Sequence, residues 1–257
     1  MGDFFRYVTE LPAGSGFEMF GTIHLVWLFG ILLFSIIIAL FYKGIPEAAD
    51  GSSVDSNKYF TKRKFRMIIG LIMPVISIYR DAVLVITGHF DRFYLPLHLC
   101  GMALWIGALY CFTRWRFVGV VYVLLCVPGA LSALIFPDWV DYPLWNYMHI
   151  HDFISHGLIV SWGLCLVVSD ELVPEWKEIW MPVVFGIIGV MILTPVNKWI
   201  GTNYWFLSSP SAGSPLVPII KLTGERWYVV GYILFVTVVV LIWLGSIRLI
   251  KHILERR

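Results

Sequence analysis

Seven runs of about twenty mainly apolar residues punctuate this chain, and they constrain its fold more than any other feature. A run of that length crosses the hydrocarbon core of a bilayer as a helix. They fall near residues 19–42, 66–87, 93–113, 117–136, 148–168, 180–200 and 227–250. Hydrophobic residues make up 59% of the 257 and charged residues 14%, where a soluble domain carries roughly 25% charged. A water-soluble core of this size cannot hide so much apolar surface. The sequence therefore predicts one all-α domain, a polytopic membrane helix bundle of about seven spans. Its expected partners are membrane lipids. A net charge of +2 gives no footprint for nucleic acid.

The basic residues are clustered. Lys43, Lys58, Lys62, Arg63, Lys64 and Arg66 fall in the first loop, Arg114 and Arg116 in the third, and Lys251, Arg256 and Arg257 in the tail. Basic loops stay in the cytoplasm, so the C-terminus is expected inside and the N-terminus outside. The acidic stretch from Asp170 to Glu178 gives this orientation no support, but acidic residues weigh little in the rule. Residues 1–10 do not read as a signal peptide. Residues 44–57 read as a flexible loop.

Six of the seven histidines then fall toward the outer helix ends: His24, His89, His98, His149, His151 and His156. Arg80 and Asp81 lie in the outer half of the second span. Ionisable groups inside spans are costly, and they usually face a cavity or each other. In the fifth span His149, Asp152 and His156 are spaced three and four apart, which places them on one helix face. His151 points elsewhere. Asp152 is expected to orient His156, a base-plus-orienter pair of the kind hydrolases and acyltransferases use. Three alternatives stay open: a metal held by His98, His149 and His156, a packing stripe with Asp152 paired to Arg80, and polar residues that merely reach headgroups. The preferred assignment has no metal and no cofactor.

In the third span Pro96 stands where an early helical turn tolerates its missing N–H. His98 follows one to two turns below the interface, with Cys100 roughly on the opposite face. The cysteines Cys100, Cys111, Cys126 and Cys165 form no CxxC pair and read as small apolar residues. The last outer loop, from Thr202 to Leu216, is rich in aromatic and turn residues and suggests an ordered lid. There Asn203 and Tyr204 are candidate substrate contacts, beside Arg80, Asp81 and His149.

Three segments carry a resemblance. Leu95-Pro96-Leu97-His98-Leu99-Cys100, the stretch from Gly129 to Pro137 leading to His156, and Asn203-Tyr204-Trp205-Phe206-Leu207 resemble marks of the bacterial YwaF-like integral membrane proteins. The resemblance extends to the eukaryotic transmembrane protein 164 family, whose third-span motif reads Asn-Pro-Cys-His-Leu. It implies an acyltransferase that remodels phospholipids toward polyunsaturated ether lipids, through an acyl thioester on the motif cysteine. By position that cysteine is Leu97 here. The resemblance thus carries over the fold and the pair His98 and His156, but not the thioester. Cys100 is a displaced nucleophile only if the helix is distorted. The function expected is acyl transfer or acyl hydrolysis at the outer leaflet of a bacterial plasma membrane. The alternative is a membrane transporter or ligand-binding protein.

Overall fold

A computed structural model describes residues 3–47 and 60–256. Most of the loop expected at residues 44–57, together with Lys58 and Arg257, lies outside the described residues. Among the described residues eight α-helices make up the bundle: α1 (Thr22–Gly44), α2 (Lys62–Ile86), α3 (Leu99–Thr113), α4 (Arg116–Val121), α5 (Val127–Ile135), α6 (Tyr147–Val168), α7 (Trp180–Ile200) and α8 (Val217–Glu255). No strand occurs among the described residues. With α4 and α5 joined through a π-helical turn at Tyr122–Cys126, seven segments among the described residues are long and apolar enough to cross a membrane.

α6 is the axis, packed against α1, α2, α3 and α5. Small residues bring the helices together, as expected where lipid supplies no hydrophobic drive for helix association. A Cβ at Gly157 would lie 3.2 Å from Ile31 of α1, and one at Gly70 would lie 2.8 Å from Cys111 of α3. Between α1 and α6, Ser35 donates to Ser161 (2.7 Å), which itself donates to the Gly157 carbonyl. Tyr122, on the π turn, donates to the Ile159 carbonyl at 2.9 Å. The carbonyl of Val123 accepts from the Trp243 indole of α8, also at 2.9 Å. Such a widened turn is a usual place for a carbonyl to find a partner outside its own helix.

Two boundaries differ clearly from those predicted, and one span is interrupted within its length. The third span does not begin as a helix at Phe93. A 3-10 turn at Arg92–Tyr94 is followed by a tight turn over residues 95–98, and α3 starts only at Leu99. Pro96 disfavours the helical conformation for the residue before it, and Leu95 is extended (φ −54°, ψ 146°). His98 is consequently the N-cap of α3 and not a residue one to two turns inside it. The fourth span is broken by the π turn. The last helix begins at Val217, ten residues before the expected start, but its run is interrupted at Gly224 (φ 70°, ψ 167°), a conformation that glycine adopts without a Cβ clash.

The acidic stretch after α6 has a definite place. Glu171 sits between Arg66 (3.2 Å) and Arg114 (3.7 Å) and accepts from the Tyr42 hydroxyl. Asp170 pairs with Lys251, and Glu178 with Arg116. These contacts gather the first loop, the third loop, the α6–α7 connection and the end of α8 at one end of the bundle. The acidic residues neutralise the basic loops, which is why loop charge alone leaves them looking contradictory.

Candidate functional site

A cavity of about 570 Å³ opens at the opposite end of the bundle. Its mouth is built from the start of α3, the α5–α6 connection, the first turns of α6 and the loop between α7 and α8. His98, Asp152 and His156 all line it, together with Arg80. Four of the eight predicted site residues therefore meet in one space.

His156 is nine-tenths buried, and its ring lies on that of Trp139, with centroids 5.0 Å apart. Its Nδ1 is 2.6 Å from the main-chain carbonyl of Asp152. A carbonyl only accepts, so Nδ1 carries the proton, and in the neutral ring Nε2 presents a lone pair. The expectation that the Asp152 carboxylate orients this ring is corrected: the carbonyl of the same residue does so. The carboxylate instead lies 3.0 Å from Nδ1 of His151, so His151, set aside in the sequence reading, is the direct neighbour of Asp152. Pairing i to i−4 within a helix explains the carbonyl contact, since a side chain points back toward the preceding turn.

His98 stands at the head of α3 with its ring among Phe93, Tyr204 and Phe206. Its Nε2 is buried without a hydrogen-bond partner among the described residues. Because His98 is extended and not helical, it and Cys100 do not point to opposite faces. Both line the cavity. Leu97, at the position of the family cysteine, packs instead beside Leu193, Tyr204 and Trp205.

The other predicted residues do different work. His149 does not line the cavity. Its Nδ1 is 3.1 Å from the Tyr142 carbonyl, and its ring packs against Phe17 and Phe153. Arg80 donates through Nε and Nη2 to Asp81 (2.9 and 2.7 Å) and through Nη2 to the Tyr94 carbonyl (2.8 Å). It is thus paired with Asp81 and not with Asp152. Asn203 spends its amide within its own loop, donating to the Ser209 carbonyl (2.8 Å) and accepting from the Ser208 N–H (2.8 Å). It shapes the loop and does not reach the cavity. Tyr204 donates to the Arg92 carbonyl and is gripped by Asn197, which donates to its carbonyl (3.0 Å) and accepts from its N–H (2.8 Å). That grip positions the next residues, Trp205 and Phe206, which do line the cavity. Both have positive φ (57° and 55°), a strained turn held by these bonds. His98, His149 and His156 form no common set: no group of three or more His, Cys, Asp or Glu among the described residues is placed to hold a metal ion.

Sequence reasoning, which puts Asp138 and Asp141 on the outer side, gives two contributions no role in the site. Asp138 and Asp141, in the α5–α6 connection, both line the cavity. Two aspartates amid Trp and Tyr in so short a connection were the available signal. Tyr7 and Val8 also line it, although nothing in residues 3–11 advertises this. Asn146 holds that segment by donating to the carbonyls of Asp3 and Arg6, each at 2.9 Å, and the Tyr94 hydroxyl donates to that of Tyr7 (2.6 Å).

Asp138 is an exposed residue on the cavity lining, and protein crowds the space around its carboxyl. Burial first, and the nearby charge of Asp152 second, push its carboxyl up from 3.8 to about 6. The folded protein therefore holds a proton there that the unfolded chain has lost between these two values, and stability falls as pH rises through that window. An Asp138→Asn protein is expected to melt with the wild type near pH 4 and above it at pH 7.5. Thermal unfolding in detergent at both pH values checks this, and a difference independent of pH would refute it.

A model of the TMEM164 family matches residues 19–244. No curated protein and no solved structure matches the chain. The match runs from just before α1 to within α8 and so takes in six complete spans and every helix that contributes to the cavity. The chain belongs to the TMEM164 family.

Proposed function

We propose that this chain is an acyltransferase or acyl hydrolase acting on membrane lipids, with His156 as its general base. The observation that carries this reading is the Nδ1 contact of His156 with the Asp152 carbonyl (2.6 Å), which leaves an Nε2 lone pair beside a cavity with largely apolar walls. Nε2 takes the proton of a hydroxyl, from water or a lysolipid, as that oxygen adds to the ester carbonyl carbon. The tetrahedral adduct collapses, the bond to the departing alkoxide breaks, and the alkoxide leaves with a proton from an imidazolium. That imidazolium is His156, which returns the proton it took and is neutral again; His98, the second imidazole of the cavity, is suited to relay it. A leucine at position 97 offers no thiol, so direct activation of the hydroxyl replaces a thioester.

The transporter reading gains less support. The ionisable residues of the cavity stand at one end, while Tyr42, Arg66 and Glu171 at the other end close on one another and do not line it. We further propose a bacterial plasma membrane as its location, a reading supported by the YwaF-like resemblance and the basic loops. The C-terminus is then cytoplasmic and the cavity mouth is at the outer leaflet.

The test is lipid analysis of a host with the gene deleted, complemented by wild type or His98→Ala. Acyl composition and lysolipid levels are expected to change on deletion, to return with wild type and not to return with His98→Ala. Unchanged lipids on deletion would end the proposal.

A further inference from the structure

Beneath the histidines the cavity continues as a slot between α7 and α8. Val183, Gly186 and Val190 of α7 face Ile233, Val236 and Val240 of α8 across it. These two helices scarcely touch each other, so the slot is a gap between neighbouring spans and not a buried hollow of the core. Thr237 also lines it, but its hydroxyl is turned back onto the Ile233 carbonyl at 2.8 Å. That leaves the methyl to the slot.

Gly186 is the telling residue. Glycine inside a helix costs about 1 kcal/mol against alanine, and in spans it is usually spent on close helix contact. Gly70, Gly107 and Gly157 are spent that way, since an added Cβ would come within 3.2 Å of a neighbouring helix. At Gly186 an added Cβ meets no atom within 4 Å. This glycine brings no helix closer and widens the slot instead.

We infer that the slot is an acyl-chain subsite entered sideways from the bilayer between α7 and α8, with its depth set by Leu125, Ile179 and Pro182. The occupant follows from continuity: one end opens beside His98 and His156, and the walls are hydrocarbon. From Val190 to Ile179 the slot runs about 16 Å at 1.5 Å per helical residue. An extended chain of about a dozen carbons, with C–C bonds of about 1.5 Å, fills it. The chemistry at the mouth rests on the acyl-lipid reading above, but chain binding is measured without turnover.

The experiment uses the full chain in nanodiscs and a lysophosphatidylcholine with a palmitoyl-length chain and a terminal diazirine, with labelled positions mapped by mass spectrometry. In the wild type, labelling is expected to concentrate at Leu125, Ile179 and Pro182, and unlabelled palmitoyl lysolipid, but not the octanoyl form, is expected to suppress it. Gly186→Leu is expected to cut labelling there about four- to fifteenfold, the loss of one to two buried methylenes. Gly30→Leu, on α1 where an added Cβ also meets nothing, should leave it unchanged. Val236→Trp fills the slot from the other wall and serves if Gly186→Leu fails to fold. Labelling spread evenly over exposed positions such as Met191, or unaffected by both slot variants, would overturn the inference. His156→Gln should label like wild type, so loss of turnover with labelling intact separates a failed slot from a failed catalytic reading.

Discussion

A His156→Gln protein is expected to fold and insert normally and to turn over acyl lipids roughly 10²–10⁴-fold more slowly, the usual contribution of a positioned acid or base. Glutamine keeps polar atoms against the Asp152 carbonyl and fits beside Trp139, but it has no lone pair able to take and return a proton. The contrast with His149→Gln makes the result specific. His149 is equally buried but is tied to Tyr142 and the aromatic cluster around Phe17, away from the cavity. Its replacement is expected to lower thermal stability and leave turnover per folded molecule near wild type. Equal activity losses in the two proteins would remove the special role of His156.

That contrast also shows what was legible in the sequence. Hydropathy alone located the seven spans, because the length of an apolar run reflects bilayer thickness directly; Trp180–Ile200 was read to the residue. The π turn at Tyr122–Cys126 was invisible, since widening a turn leaves the hydropathy unchanged. Helical spacing put His149, Asp152 and His156 on one face. It could not show that Phe17, from the segment before α1, covers the upper level of that face and leaves only the lower one open. For His98 the tolerance of proline in a first turn was the wrong rule to apply. The restriction on the residue before proline decided the matter and turned a helical histidine into an N-cap. Asn203 looked like a substrate contact because loop amides often are. Its partners at Ser208 and Ser209 lie so near in sequence that only the loop conformation reveals them.

The largest stability effect is expected at the other end of the bundle. Glu171 is almost fully buried, and so is Arg66; the two are 3.2 Å apart, and Arg114 reaches the second carboxylate oxygen at 3.7 Å. Replacing Glu171 by Gln keeps the shape and removes the charge, which leaves a buried guanidinium without a counter-ion. Breaking a buried pair in this way costs about 3–5 kcal/mol. In thermal unfolding that is a fall on the order of 10 °C in Tm for a chain of this size. Arg114→Gln, which removes the more exposed and more distant partner, is expected to cost far less, in line with the small worth of exposed ion pairs. Pairing Glu171→Gln with Arg66→Met should recover much of the loss, because hydrophobic residues of similar volume often replace a buried pair without penalty. A Glu171→Gln protein that melts with the wild type would mean that water or another group already carries the guanidinium.

The segment from Asp3 to Leu11, which supplies Tyr7 and Val8 to the cavity wall, has a consequence for biosynthesis. It is synthesised before the spans it packs on, yet the Asn146 side chain that holds it is separated from it by 140 residues or more. Contacts so distant along the chain close late. Four spans must be threaded and α6 begun before this stretch can meet Asn146, although the Tyr94 hydroxyl is within its reach earlier. Until then the nascent bundle carries its histidines in an unroofed pocket. Completion of that roof couples a segment made before α1 to the maturity of the whole bundle.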